Sequence, residues 1–250
     1  MKKNKTKKLM QILPKRSGRD QTGQISVRGR GGRQKRFYRL IDWKRDKRET
    51  KAEVLTIEYD PNRSTNISLI EYEDGEQRYI LHPQGLTVGN KIIASEKAPI
   101  KPGSAMPLEK IPLGVAIHNI ELVPGEGGKF ARGAGTSCTI VGKDKKYAHL
   151  KLPSGELRKV NLLCYATIGQ LDNENWKHVK LGKAGRRRLM GWRPKVRGVA
   201  MHPGAHPHGG GEGRSGEGMH PKTPWGKPTR GKKTRKRKKT SDKLIIKRKK

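Results

Sequence analysis

Four histidines stand close together toward the C-terminal end of the chain: His202, His206, His208 and His220, set among prolines and glycines. Three kinds of chemistry are open to them. Structural zinc wants four rigidly spaced ligands, often with cysteine, and a Pro/Gly context offers no scaffold for that. General acid–base work by His206 or His208 is a second reading, but no nucleophile stands at an obvious spacing from either. The third is a loop of small residues, Gly209, Gly210 and Gly211 among them, through which backbone approaches a nucleic acid closely while imidazoles donate to phosphates or stack. Glycine suits this because it lacks a Cβ and accepts positive φ. The third reading fits best, so no catalytic residue, metal ligand or cofactor is assigned.

The other residues with binding chemistry are cations. The 250 residues include 58 Lys+Arg against 22 Asp+Glu, a formal net charge of +36. Few soluble enzymes carry such self-repulsion without a polyanion to neutralise it. No basic amphipathic helix points to an anionic membrane surface, and no apolar run approaches the roughly 18 residues of a membrane span. The N-terminal apolar run, Leu9–Leu13, is too short for a signal peptide. Gly128–Lys129 and Gly226–Lys227 are not followed by Ser or Thr, so the glycine-rich stretches are not phosphate loops of nucleotide hydrolases. Cys138 and Cys164 form neither a disulfide framework nor a CxxC metal pair, which fits a reducing interior.

The charge is unevenly placed. Residues 1–51 carry a net +15, residues 52–185 only +2, and residues 186–250 a net +19. A folded body with two basic arms is the expectation. The 186–250 arm holds 11 Gly and 6 Pro and few large apolar residues, so alone it cannot offset its ordering entropy. Nucleic acid is the partner that would order both. The candidate contacts in the N-terminal arm are Arg28, Arg30, Arg33, Lys35, Arg36, Arg39, Lys44 and Arg45. Those in the C-terminal arm are Arg186, Arg187, Arg188, Arg193, Lys195, Arg197, Arg214, Lys232, Lys233 and Arg235. Guanidinium forks suit bidentate phosphate recognition.

The elements that must position these residues are β-strands. Ala52–Tyr59 puts Leu55, Ile57 and Tyr59 on one side at period two. Asn66–Tyr72 and Gln77–Leu81 flank Asp74–Gly75, a strong hairpin signal. Leu86–Val88 and Lys91–Ala94 follow. Residues 97–112 hold four prolines and suggest a module boundary; beyond it strands are expected at 115–123, 136–141, 147–152, 156–160 and 165–170, with a short helix near 183–190. Gly125–Gly128 and Gly133–Gly135 suggest exposed loops. Turn signals every 8–12 residues or so indicate two small barrels. With few Phe and Trp in them, recognition should lean on phosphates and shape rather than stacking platforms.

Several segments carry a resemblance. Val196–Met201, His206–Arg214 (HPHGGGEGR) and Thr223–Gly226 (TPWG) resemble the universal large-subunit ribosomal protein two family, bacterial or organellar type. So do Lys35–Asp42, Ile57–Arg63, Asp74–Leu81, Ile117–Leu122, Leu152–Glu156 and Gly182–Arg186, in the family's order. The resemblance implies a mainly β chain: an OB-fold barrel at 52–110 and an SH3-like barrel at 111–185, between basic arms at 1–51 and 186–250. It implies large-subunit rRNA as partner, with neighbouring ribosomal proteins, the small subunit across the subunit interface, and tRNA indirectly. It also implies a place for His206, His208 and Gly209–Gly211 near the peptidyl-transferase region, with catalysis left to the RNA, in a bacterial, chloroplast or mitochondrial ribosome. The chain departs from the family where Ala205 replaces the Asp usual before His-Pro-His-Gly, removing any carboxylate–imidazole pair. In Arg28–Lys35 two of the family's histidines are missing, and the segment before Arg19 is short. Contacts made by those histidines, or by a longer leader, are expected to be absent. An RNA-acting enzyme and a general nucleic-acid packaging protein are the competing readings.

Overall fold

A computed structural model describes residues 6–236 and 238–248. The chain is mainly β. Its contacts group into two units, neither of them a continuous stretch of sequence. The first takes in the described residues of Met1–Leu13, Arg36–Lys180 and Thr240–Lys250; the second comprises Pro14–Lys35 and Leu181–Lys239. Both stretches of the second unit therefore lie between segments of the first.

In the first unit, β1 (Met10–Ile12) pairs with β2 (Phe37–Arg39). A four-stranded antiparallel sheet follows, built from β3 (Lys51–Glu58), β4 (Ile67–Tyr72), β5 (Gln77–Leu81) and β6 (Lys91–Ile93) in the order β5-β4-β3-β6. The Asp74–Gly75 hairpin forms as expected, with Gly75 at φ 80°. Both faces of this sheet are covered. Ala52, Val54, Ile70, Tyr72, Ile80, Leu86 and Ile92 fill one side; Ile41, Ile67, Leu69, Tyr79, Leu81 and Leu171 fill the other. That is why β4 reads as a near-continuous apolar run rather than an alternation.

The register of β3 differs from the simple period-two pattern. It shifts between Val54 and Thr56, and such a bulge changes which face the following residues occupy. Val54 is fully buried, whereas Ile57 is 40 % and Tyr59 62 % exposed; only Leu55 of that trio packs against a core. Leu86–Val88 is a turn segment, although Leu86 still reaches the core.

The second sheet uses β7 (Ala105–Pro107), β8 (Ala116–His118), β11 (Cys138–Lys143), β12 (Tyr147–Lys151), β13 (Leu157–Asn161), β14 (Tyr165–Ile168) and β15 (Ile245–Lys247). Their order is β15-β13-β12-β11-β8-β14-β7. A small pair, β9 (Ile120–Glu121) with β10 (Gly128–Phe130), lies beside it in sequence, so the glycine-rich loop at 125–128 ends in a strand. Met106, Leu108, Ile117, Ile140, Leu150 and Val160 are among its core residues. Because β7 pairs with β14, the passage from one sheet to the other falls before Ala105, inside the proline-rich stretch.

Buried polar groups tie these sheets together. Glu121, almost fully buried, accepts from the backbone N–H groups of Gly125, Gly127 and Tyr165. Asp172 accepts from Thr65 Oγ1 at 2.7 Å and Asn66 Nδ2 at 2.6 Å, joining the end of β14 to the start of β4. His118 donates from Nδ1 to Gly169 O at 2.8 Å; complete burial holds its pKa down to about 4. Burial likewise pushes the thiols of Cys138 and Cys164 up to about 12.

Candidate nucleic-acid interface

The second unit holds 25 basic side chains to three acidic ones, Asp20, Glu212 and Glu217, for a net charge of +22. Its two stretches are bound to each other by backbone. Gly31 N–H donates to Gly191 O, Arg193 N–H to Gly29 O and Gln34 N–H to Leu189 O, all near 3.0 Å. Gly191 permits this: it is buried at φ 94°, and a Cβ there would meet Arg33 Cβ at 3.1 Å. A turn at 18–27 is organised by Asp20, which accepts from the Thr22 hydroxyl and from the N–H groups of Thr22 and Gln24. The Thr22 hydrogen bond is the main reason its carboxyl lies below the usual range.

This pairing collects cations. Arg28, Arg30, Arg193, Lys195 and Arg197 are exposed, and none has a carboxylate partner among the described residues. The Arg30 guanidinium lies 3.7 Å from the ring centre of Trp192, and that of Arg28 lies 5.2 Å from Trp225. Stacking occupies the guanidinium face and leaves its N–H edge free for an anion. Arg186, Arg187 and Arg188 stand exposed on α1 (Ala184–Leu189), the short helix expected near 183–190. Arg214, Lys232, Lys233 and Arg235 are exposed beyond it, and Lys35 is exposed in the first stretch. Arg33 is half-buried.

The histidine loop is folded onto itself. His206 and His208 are both buried at 8 % exposure, with ring centres 5.1 Å apart. His206 Nδ1 accepts from the His208 N–H at 3.1 Å. His208 Nε2 accepts from the Lys222 N–H at 2.8 Å, which leaves Nδ1 as its donor to Glu217 O at 2.9 Å. Both ring nitrogens of His208 are thus spent on backbone. The glycines serve the same packing: a Cβ at Gly209 would lie 2.4 Å from Met201 O, and one at Gly198 2.5 Å from the His206 ring. Within the loop, the absent Cβ of Gly209 lets backbone approach backbone, and that of Gly198 makes room for the His206 ring.

The expected contacts of residues 36–45 fall in the first unit and are of another kind. Arg36 Nη1 donates to Pro61 O at 2.5 Å. Arg39 Nη1 lies 3.6 Å from Asp60, which is fully buried and also bound by Arg63 Nε at 2.6 Å. Lys44 is exposed. Arg45 departs from its assignment as an RNA contact: it is 3 % exposed, sits at φ 52° and donates its N–H to Asp42. A buried guanidinium beside Tyr72 and His118 belongs to the core.

Charge counting overlooked Trp192 and Trp225, which hold two of the arginines, and Arg19, whose Nη1 donates to Gly23 O at 2.7 Å. The TPWG motif was visible around Trp225; its pairing with Arg28, almost 200 residues away, was not.

Two family matches span this architecture. The Ribosomal Proteins L2, RNA binding N-terminal domain, matches residues 6–94, and the Ribosomal Proteins L2, C-terminal domain, matches residues 101–226.

Proposed function

This chain belongs to the ribosomal protein L2 family and is a structural, RNA-binding constituent of the large ribosomal subunit; we propose that its second unit is the part that enters folded rRNA, near the peptidyl-transferase region. The observation that carries this reading is the set of exposed guanidiniums without carboxylate partners among the described residues: Arg28, Arg30, Arg193 and Arg186–Arg188. Such groups displace counterions from phosphates, and binding then weakens steeply with salt, by a slope of about −0.7 to −0.9 per phosphate neutralised. The first unit supplies shape and, through the near-balanced charge of its residues 52–180, contacts to neighbouring ribosomal proteins. Support for subunit association and tRNA binding follows indirectly from holding the RNA in place, in a bacterial or organellar ribosome.

His206 and His208 have a structural task in this reading. His206 Nδ1 and both ring nitrogens of His208 are engaged inside the loop, and catalysis stays with the RNA. Ala205 is exposed where the family carries Asp, and the His206–His208 contact forms without that carboxylate.

Competition between large-subunit rRNA and duplex DNA for the full chain at fixed salt tests the proposal. Clear preference for the rRNA is expected; equal affinity would make the protein a general packaging factor. Replacing both histidines with Ala in assembled subunits should cost assembly yield and leave peptide-bond formation per assembled particle within about ten-fold, well short of the roughly 10²–10⁴ that a lost acid–base group costs.

A further inference from the structure

The second unit contains a cavity of about 490 Å³ between the 17–32 stretch and Arg193–Pro194. We propose that it is a socket for a single nucleotide extruded from folded RNA, an inference that rests on the chain binding rRNA. Its size lies in the range of roughly 300–1,000 Å³ typical of small-ligand sites, larger than a lone phosphate needs.

The lining has two chemistries. Arg19, Arg28, Arg30 and Arg193 surround it, and no carboxylate among the described residues lines it. Asp20, the nearest acid in sequence, has its carboxylate turned to the Thr22 and Gln24 donors. Arg30 is held on Trp192, so one wall of the charge is fixed before a ligand arrives. Apart from Ser17, the remaining surface is apolar or bare backbone: Ile25, which is 61 % exposed, Pro194, and Gly29, Gly31 and Gly32. Exposed isoleucine beside four guanidiniums suits a ligand that is anionic at one end and flat and apolar at the other. A nucleotide drawn out of a helix is such a ligand, with phosphate on the arginines and base against Ile25 and the glycine backbone. The cavity of the first unit at Lys51, Glu53, Glu71, Glu73 and Lys91 is smaller, about 300 Å³, and mixes both charges, so it offers no comparable anion site.

The test measures binding of the full chain, at fixed salt, to three RNA hairpins: fully paired, with one bulged adenosine, and with one bulged abasic nucleotide. The bulged adenosine should bind about ten-fold more tightly than the other two, equivalent to about 1.4 kcal/mol. Gly32→Leu projects into open space, because a Cβ there meets nothing within 4 Å and the backbone is not left-handed. It should remove the preference and leave affinity for the paired hairpin and the salt slope unchanged. Ile25→Asn, at an exposed position, should reduce the preference in the same way. Equal binding of the bulged and paired hairpins by the unmodified protein overturns the socket while the RNA-binding reading stands. Equal binding of the abasic and adenosine bulges overturns it too, since the site would then read phosphate alone. Failure to bind any hairpin overturns the RNA reading on which the socket depends.

Discussion

Aromatic faces steady arginines in both units, Arg48 on Tyr165 and Arg132 on Trp43 in the first among them, but the first unit adds carboxylate clasps. In the first unit Arg78 is clasped by Glu76 at 2.6 Å, Asp46 at 2.5 Å and Asp42 at 3.2 Å. Burial alone would lower its pKa, but these hydrogen bonds outweigh that and raise it. Arg63 rests on buried Asp60, and Lys47 between Asp74 and Glu76. In the second unit Arg30 and Arg28 lean on indoles, and Arg186–Arg188 have no side-chain partner among the described residues. The same side chain is thus a structural tie where carboxylates meet it and keeps an N–H edge open to an anion where an aromatic face alone steadies it. Sequence charge alone cannot separate the two, because it does not say where the acids go.

The sharpest way to break this contrast is to remove an acid from the first unit. Asp60→Ala strips the partner from Arg63 and Arg39 and leaves part-buried cations uncompensated; a loss of about 3–5 kcal/mol in unfolding free energy is expected by denaturant titration. A loss under 1 kcal/mol would mean that the charge there is not structural. Next in size is the pH response of the core. The folded-state pKa of His118 lies near 4 against an ordinary 6.5, so the unfolded chain takes up the proton first. Stability is therefore complete above pH 6.5 and falls as pH drops toward 4, by on the order of 3 kcal/mol at about 1.4 per pKa unit. The burial that depresses His82 acts with the same sign. His118→Gln should flatten that slope in calorimetry from pH 7 to 4; an unchanged slope refutes the assignment.

Changes in the second unit should behave in reverse. Arg186→Gln, Arg187→Gln and Arg188→Gln together should weaken rRNA binding about 100-fold at 0.15 M salt and lower the salt slope by about 2–3. Melting should shift little, as for other exposed substitutions of about 0.5 kcal/mol or less. A large stability loss with unchanged affinity would invert the comparison. The smallest effect is expected at Trp192→Leu, which frees Arg30 at a cost of about 0.5–1 kcal/mol in RNA binding, readable as a two- to five-fold rise in Kd.

Local signals were legible where the structure depends on near neighbours. Asp74–Gly75 and Pro153–Gly155 make the expected hairpins, and Ala184–Leu189 the expected short helix. Long-range pairing was not legible. β1 and β2 are each three residues long and are strands only because they meet. β7 hides among prolines, and β15 lies in a segment whose composition suggested a tail. The β3 bulge reverses a pattern that period two alone would misassign. In the candidate interface, the basic residues stood out by type, but Arg45 went to the core because the chain turns back at Asp42. The histidines were conspicuous, yet their partners Glu217 and Lys222 lie 9 and 14 residues on, beyond what spacing reveals.

The pairing of β15 with β13 alters what the C-terminal cationic stretch can be. Residues 181–239 run from one anchored strand to another, as residues 14–35 do between β1 and β2, so neither is a dangling polymer end. A tether fixed at both ends has already surrendered much of its freedom, and doubling its length adds only about 0.6 kcal/mol to the closure cost. Each can enter an RNA crevice only as a bight, folded double like a cord pushed through a ring, unless the last strand first unfastens.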